Sequence, residues 1–247
     1  MTTIKPFKKL YISQVPTVIP AGKPIVFWDT CSLIYIISIA VRNSFSDYSH
    51  YMDLLSWIEN DEIVSVTSSI VWDEFNDHYQ EEYERANDDI DMLRELIKNY
   101  AGIHQEPVRG QLLNLAHDIN LITILENIES RVWGKTYVIN EEQELAKLAH
   151  YRVLHKWSPS KVKDQYKDSY IWCTFMSVAQ KLTEVRKFFM TDNKEDYCLS
   201  RKSSTPQDMI KTDCTTVGAE IYFNVGTLRG NIYRALHPED INKEKTQ

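Results

Sequence analysis

Apolar residues fall along the chain in two spacings. An unbroken run at Ile25-Val26-Phe27-Trp28, and runs interrupted by Ser65 in Ile63 to Val66 and by Arg186-Lys187 in Val185 to Met190, have the length and the branched or aromatic content of buried strands. A weaker run of the same kind covers Ala219 to Phe223. Between these runs apolar positions recur every three or four residues, which predicts helices. Cys31 to Val41 is apolar on all sides, as a buried helix would be. Helical spacing continues over Ser46 to Asn60 through Tyr48, Met52, Leu55 and Ile58. Thr67-Ser68-Ser69 supplies cap chemistry for a helix running past Glu74 to about Lys98, with a weak point at Asn87-Asp88-Asp89. Pro107 and Gly110 mark a junction, and Leu112 to Val132 is helical again. Asn140 reads as the cap of a helix from Glu141 to Lys156, and Ser158-Pro159-Ser160-Lys161 as a loop. Asp168 then opens a helix with apolar positions Ile171, Trp172, Phe175, Met176, Ala179 and Leu182, and a last helix spans Thr227 to Leu236.

Short apolar strands alternating with helices predict an α/β fold, a central parallel sheet of four or five short strands flanked by helices. The reading is one domain over residues 25–236, in which about 75–157 form a mainly helical elaboration. Residues 1–24, polar and punctuated by Pro6, Pro16, Pro20 and Pro24, read as an arm packed along the body, and residues 237–247 as a charged tail. The 247 residues suffice for a sizeable core. Seven Gly and eight Pro are too few for an all-β sandwich. With 28 Lys+Arg against 35 Asp+Glu, the net charge of -7 excludes a histone-like binder. No apolar leader opens the chain, and the most apolar stretch, Ile25 to Val41, is short for a membrane span and contains Asp29. Cys31, Cys173, Cys198 and Cys214 form no C-x-x-C pair, which suits reduced thiols in a cytoplasmic protein without membrane association.

Functional groups of open α/β sheets gather beyond the carboxyl ends of the strands. That rule selects Asp29 after the first strand, and Asp192, Asn193 and Asp196 after the run ending at Met190. Glu74 lies in the first turns after the second strand, and Asp168 starts a later helix; Asp164 is four residues before it. Each has a local alternative as a helix cap or turn residue. Several carboxylates at one sheet end repel one another, and burial sharpens the repulsion. A divalent cation relieves it, and all-oxygen donors suit Mg²⁺ or Mn²⁺.

The segment Val26-Phe27-Trp28-Asp29-Thr30-Cys31-Ser32-Leu33-Ile34 resembles the opening motif of PIN-domain nucleases, a hydrophobic strand followed by Asp-Thr/Ser-x-x-Leu. Ser69-Ile70-Val71-Trp72-Asp73-Glu74-Phe75 is similar to their second motif, and Lys167-Asp168-Ser169-Tyr170-Ile171-Trp172 to their third. Phe188 to Tyr197, with Thr191-Asp192-Asn193 and Asp196, resembles the fourth. Order and residue types agree over about residues 25–225; the gap between the second and third motifs is longer than in the smallest members. The resemblance implies a PIN-like fold and a Mg²⁺- or Mn²⁺-dependent endoribonuclease, with a toxin or defence effector as one setting. It implies Asp29, Glu74, Asp168 and Asp192 as catalytic acids, and the same four with Asp196 as metal ligands. Among Asp192, Asn193 and Asp196 the fourth ligand stays open. Thr30, Ser32, Thr191 and Asn193 would orient the carboxylates, with helix capping as the alternative for Ser32.

Lys161, Lys163, Lys167, Lys194, Arg201 and Lys202 flank the acids and would meet an RNA backbone. Tyr166, Tyr170 and Tyr197 would stack on unpaired bases of single-stranded or structured RNA, with packing as their alternative. From Glu59 to Lys98, 13 acidic residues face 3 basic ones, so this segment carries -10 and the remainder +3. It reads as a solvated face, or as a partner-binding or RNA-excluding surface; an inhibitory protein partner and a homodimer are further expectations. Absence of H-E-x-x-H, G-x-S-x-G and a P-loop excludes zinc proteases, common serine hydrolases and nucleotide-driven motors. Two alternatives stand beside the nuclease: a noncatalytic RNA- or protein-binding scaffold, and another phosphoryl-transfer enzyme such as a phosphatase. Cys31 stands where a haloacid-dehalogenase phosphatase carries its second Asp, which counts against that type.

Overall fold

A computed structural model describes residues 7–38, 45–118, 121–161 and 165–239. The chain begins with β1 (Lys8–Leu10), a 3-10 turn (Ile12–Gln14), α1 (Val15–Val18), β2 (Ile25–Trp28), α2 (Thr30–Ser38) and α3 (Phe45–Glu59). It continues through β3 (Val64–Ser68), α4 (Ser69–Ala101), α5 (Val108–Asp118), α6 (Leu121–Trp133), β4 (Thr136–Ile139) and α7 (Gln143–Leu154). The last third holds α8 (Tyr166–Lys181), β5 (Lys187–Met190), α9 (Lys194–Tyr197), α10 (Asp208–Val217), β6 (Ala219–Tyr222) and α11 (Val225–Leu236).

The sheet is six-stranded and parallel, in the order β1-β4-β3-β2-β5-β6. β2 pairs with β3 through Ile25 and Val64, and with β5 through Trp28 and Met190. After β2 the chain moves outward through β3 to β4, then returns to place β5 on the other side of β2. Connections therefore diverge between β2 and β5, which opens a crevice at the carboxyl ends of these two strands. Helices cover both faces, so β2, β3 and β5 are buried at every position; β2 is apolar throughout, while β3 alternates valine with Ser65 and Thr67 and β5 begins with Lys187.

Two strands escape the apolar pattern. β1 belongs to the segment read as an arm, yet Lys8 to Leu10 pair with Tyr137 to Ile139. Only Leu10 of its three residues is buried, and short lysine-bearing edge strands are protected against further pairing. β4 lies inside the stretch read as mainly helical, yet its residues Thr136-Tyr137-Val138-Ile139 are of strand type, and they fill the place between β1 and β3. Asn140 does not cap a helix: its amide donates to the Leu10 carbonyl at 2.7 Å, and α7 has Glu142 as its N-cap. Over the helix expected at 112–132, the described residues form α5 and α6, and residues 119–120 lie outside the described residues. α4 runs 33 residues without a break at Asn87. The Ser68 hydroxyl accepts the Val71 amide at 3.3 Å and caps it, as the sequence predicts.

An aromatic cluster forms the floor beneath the crevice. Phe27 meets Phe175 with ring centroids 5.6 Å apart, Trp172 meets Phe189 at 5.2 Å, and Phe189 meets Tyr197 at 5.5 Å. Their large buried surfaces fix β2, β5 and α8 relative to one another. The Trp172 indole donates to Asp213 at 2.8 Å, and Trp28 donates to Ser65 at 2.8 Å, so neither buried N–H is orphaned.

Candidate active site

Asp29 stands one residue beyond β2, with its amide donating to the Met190 carbonyl at 3.0 Å. Its own carbonyl accepts the Ser32 amide at 3.1 Å as α2 begins. The side chain is 3% exposed. One oxygen accepts the Thr30 amide at 2.7 Å; the other accepts the Thr191 hydroxyl at 2.6 Å and the Cys31 thiol at 3.4 Å. Burial pushes the Asp29 carboxyl above its ordinary value, these three donors work against the rise, and the charge of Glu74 adds to it.

Glu74 reaches the same place from the second turn of α4. The Thr30 hydroxyl donates to its Oε2 at 2.6 Å, and the Lys167 ammonium lies 3.1 Å from its Oε1. A single threonine therefore links two acids, through its amide to Asp29 and through its hydroxyl to Glu74.

Asp168 lies in the first turn of α8, which starts two residues earlier than the sequence suggests. Its carboxyl is pushed up to about 8, chiefly by burial and then by the charges of Asp29, Asp196 and Glu74. The Asn193 side-chain amide donates to Asp168 at 3.2 Å and to Asp196 at 2.8 Å, bridging the two. Gln165 donates to both Asp196 oxygens at 3.3 Å. Tyr197, fully buried, donates its hydroxyl to the Asp168 carbonyl at 3.3 Å and anchors the turn that holds this acid.

Four carboxylates, Asp29, Glu74, Asp168 and Asp196, thus meet at the crevice. Asp192 takes a different place. It is exposed, its amide donates to the Cys31 sulfur at 3.1 Å, and it lines a cavity beside the acids rather than bearing on Asp168. Thr30, Thr191 and Asn193 hydrogen-bond to carboxylates. Ser32 does not: its hydroxyl donates to the Met190 carbonyl at 2.8 Å and ties α2 to the end of β5. Burial drives the Cys31 thiol well above its ordinary range, and all four cysteines are free thiols.

The basic residues are distributed unevenly. Lys167 pairs with Glu74, and Arg201 with Glu195, so both are occupied by acids. Lys161 and Lys202 are exposed, and Lys194 is half-buried at the start of α9. Lys163, like Asp164, lies outside the described residues. Of the three tyrosines expected to stack on bases, only Tyr166 is exposed; Tyr170 and Tyr197 are core residues. Gln165 was not singled out in the sequence, because a lone amide in a loop has no distinguishing pattern.

Among the described residues, no three His, Cys, Asp or Glu side chains are disposed to hold a metal ion. The donor set nevertheless fits a hard cation in its chemistry. It is all oxygen, partly desolvated, and more negative than the Lys167 charge offsets, which is why Asp168 titrates near 8. The amides of Asn193 and Gln165 occupy oxygens that a cation would take.

A family model described as PIN domain matches residues 26–197, more than half the chain and all four of these acids. No curated protein and no solved structure matches the chain significantly.

Proposed function

Because the chain belongs to the PIN-domain family, whose character is nuclease-like, we propose that it is a metal-dependent endoribonuclease. The observation that carries this reading is the convergence of Asp29, Glu74, Asp168 and Asp196 at the crevice between β2 and β5. These acids would hold Mg²⁺ or Mn²⁺. When bound, the cation supplies charge neutralisation and Lewis acidity toward a phosphodiester. The chain's own groups supply placement. Thr30 and Thr191 hold Glu74 and Asp29 in fixed rotamers, and Asn193 orients Asp168 and Asp196. Lys167, now on Glu74, is close enough to exchange its carboxylate for a phosphate oxygen when RNA arrives. Lys161, Lys194 and Lys202 would position the backbone.

The test is cleavage of a mixed single-stranded RNA with Mg²⁺, with Mn²⁺ and with EDTA. Cleavage should require a metal, and Asp29→Asn and Asp168→Asn should each reduce it by about 10²-fold or more with unchanged melting temperature. Equal rates in wild type and both variants would remove these acids from catalysis. A second reading, a noncatalytic RNA-binding scaffold, is favoured by the Lys167–Glu74 pair and by the amides already filling the carboxylate oxygens. It predicts RNA bound and uncut in every metal.

A further inference from the structure

Next to the carboxylates lies a cavity of about 210 Å³, lined by Tyr35 and Ser32 of α2, Asp47 and Tyr51 of α3, and Met190, Asp192, Phe223, Asn224 and Val225. We propose that it is a nucleobase pocket, which takes one unpaired base of the RNA and reads its amino-bearing edge through Asp47. This rests on the reading of the chain as an RNA-cleaving enzyme and adds what part of the RNA it selects.

Position comes first. Met190 ends β5 and Ser32 sits in the α2 turn that follows Asp29, so the cavity wall and the acid cluster share the same two elements. Asp192 forms the boundary: its amide holds the Cys31 sulfur, and that sulfur touches Asp29. A chain whose phosphate lay at the acids would bring a neighbouring base to the cavity mouth.

Size and chemistry agree with a base. The volume falls below the roughly 300–1,000 Å³ of pockets for larger ligands, which suits one planar ring. Tyr35 and Tyr51 provide ring walls with centroids 6.2 Å apart, and buried Phe223 adds a third. Unpaired bases are bound by stacking on such rings and by hydrogen bonds to their edges. Asp47 and Asp192 are the two carboxylates among the described residues that line the cavity. The Tyr35 hydroxyl donates to Asp47 at 2.8 Å and fixes its orientation. A carboxylate has about four acceptor sites, and this bond uses one. Acceptors of this kind take the exocyclic amines of cytosine, adenine or guanine. Uracil presents carbonyl oxygens in place of those amines and offers only its ring N3–H as a donor, so it is held less tightly.

The experiment measures binding of AMP, CMP, GMP and UMP to the full chain in EDTA, so that no cleavage is needed. At least one amino-bearing nucleotide should bind about tenfold or more tighter than UMP. Asp47→Asn should collapse that ratio to about threefold or less with an unchanged melting temperature. Intermolecular NOEs from the base to the Tyr35 and Phe223 rings of the wild type provide a readout independent of any variant. Four equal affinities, NOEs to other residues, or an unchanged ratio in Asp47→Asn would each overturn the pocket. RNA cut with no base bias beside the scissile bond would overturn it while leaving the enzyme intact. Selective nucleotide binding at these rings without RNA cleavage would keep the base site and remove the enzyme.

Discussion

Glu129 on α6 is 1% exposed, and among the described residues neither of its carboxylate oxygens has a hydrogen-bond partner. Burial, with the charge of Glu126 as a smaller cause, holds its carboxyl well above the ordinary range. The folded state therefore binds this proton more tightly than the unfolded chain does. Stability from this site is complete below the unfolded value of about 4.3 and falls as pH rises toward the folded one. Glu129→Leu removes a buried polar group with no partner and should stabilise the protein by about 1–3 kcal/mol at pH 7. The gain should shrink toward pH 4, as chemical denaturation at the two pH values would show. A variant no more stable than wild type at pH 7 would mean that Glu129 has found a partner. The acids of the site are treated differently by the fold: Asp29, Glu74, Asp168 and Asp196 all receive donors, so their shared repulsion is held in place rather than left unsatisfied.

α4 has two halves with different surroundings. Its first turns bury Val71 and Phe75 against the sheet side of the protein, where Phe75 meets Trp133 at 5.0 Å. Farther along only Ala86, Ile90 and Ala101 are buried, while Met92, Leu96 and Tyr100 stay exposed. The ion pairs Arg85–Glu82, Arg94–Asp91 and Lys98–Glu95 lie along this exposed half, and pairs of this kind contribute only a few tenths of a kcal/mol each. These pairs and a strong run of helix-forming residues explain why Asn87-Asp88-Asp89 does not end the helix. Hydrogen exchange should therefore be faster over about residues 88–101 and α5 than over 69–79. Uniform protection along α4 would show that the outer half is anchored as firmly as the inner.

Across the whole molecule, charge separates into an acidic helical stretch and a weakly basic remainder. Lys167 and Arg201 are engaged by Glu74 and Glu195, which leaves Lys161, Lys194 and Lys202 as the described cations nearest the crevice among those expected to meet RNA. At about 0.7 per phosphate contact on a single strand, three contacts give a salt slope near -2. Titrating RNA binding between low and moderate salt should return that shallow slope. A slope steeper than about -4 would require a basic surface elsewhere. The described residues contain no helix long and apolar enough to cross a membrane.

The central strands and the acids at their ends are legible in the sequence because local pattern determines them. β2, β3 and β5 are buried on both faces, which favours apolar residues and admits Ser65, Thr67, Ser68 and Lys187 only because each is hydrogen-bonded; an acid that follows such a strand marks its carboxyl end. Asp29 belongs to that class; Glu74 and Asp168 are legible instead as acids in the opening turns of helices, α4 after β3 and α8 after a loop. β4, enclosed by helices, reads with them although Thr136 to Ile139 are of strand type; β1 was not legible, because an edge strand with one buried residue gains its identity from a pairing partner far away in the chain. The same limit applies to the choice among Asp192, Asn193 and Asp196. Adjacent residues after a strand point in different directions, and only packing of α8 and α9 sends Asn193 and Asp196 to Asp168 while Asp192 turns to the cavity. The sequence by itself determined which residues could be buried, charged or capping. Tertiary structure alone decided which charges would share one low-dielectric space, because that depends on contacts between segments more than a hundred residues apart.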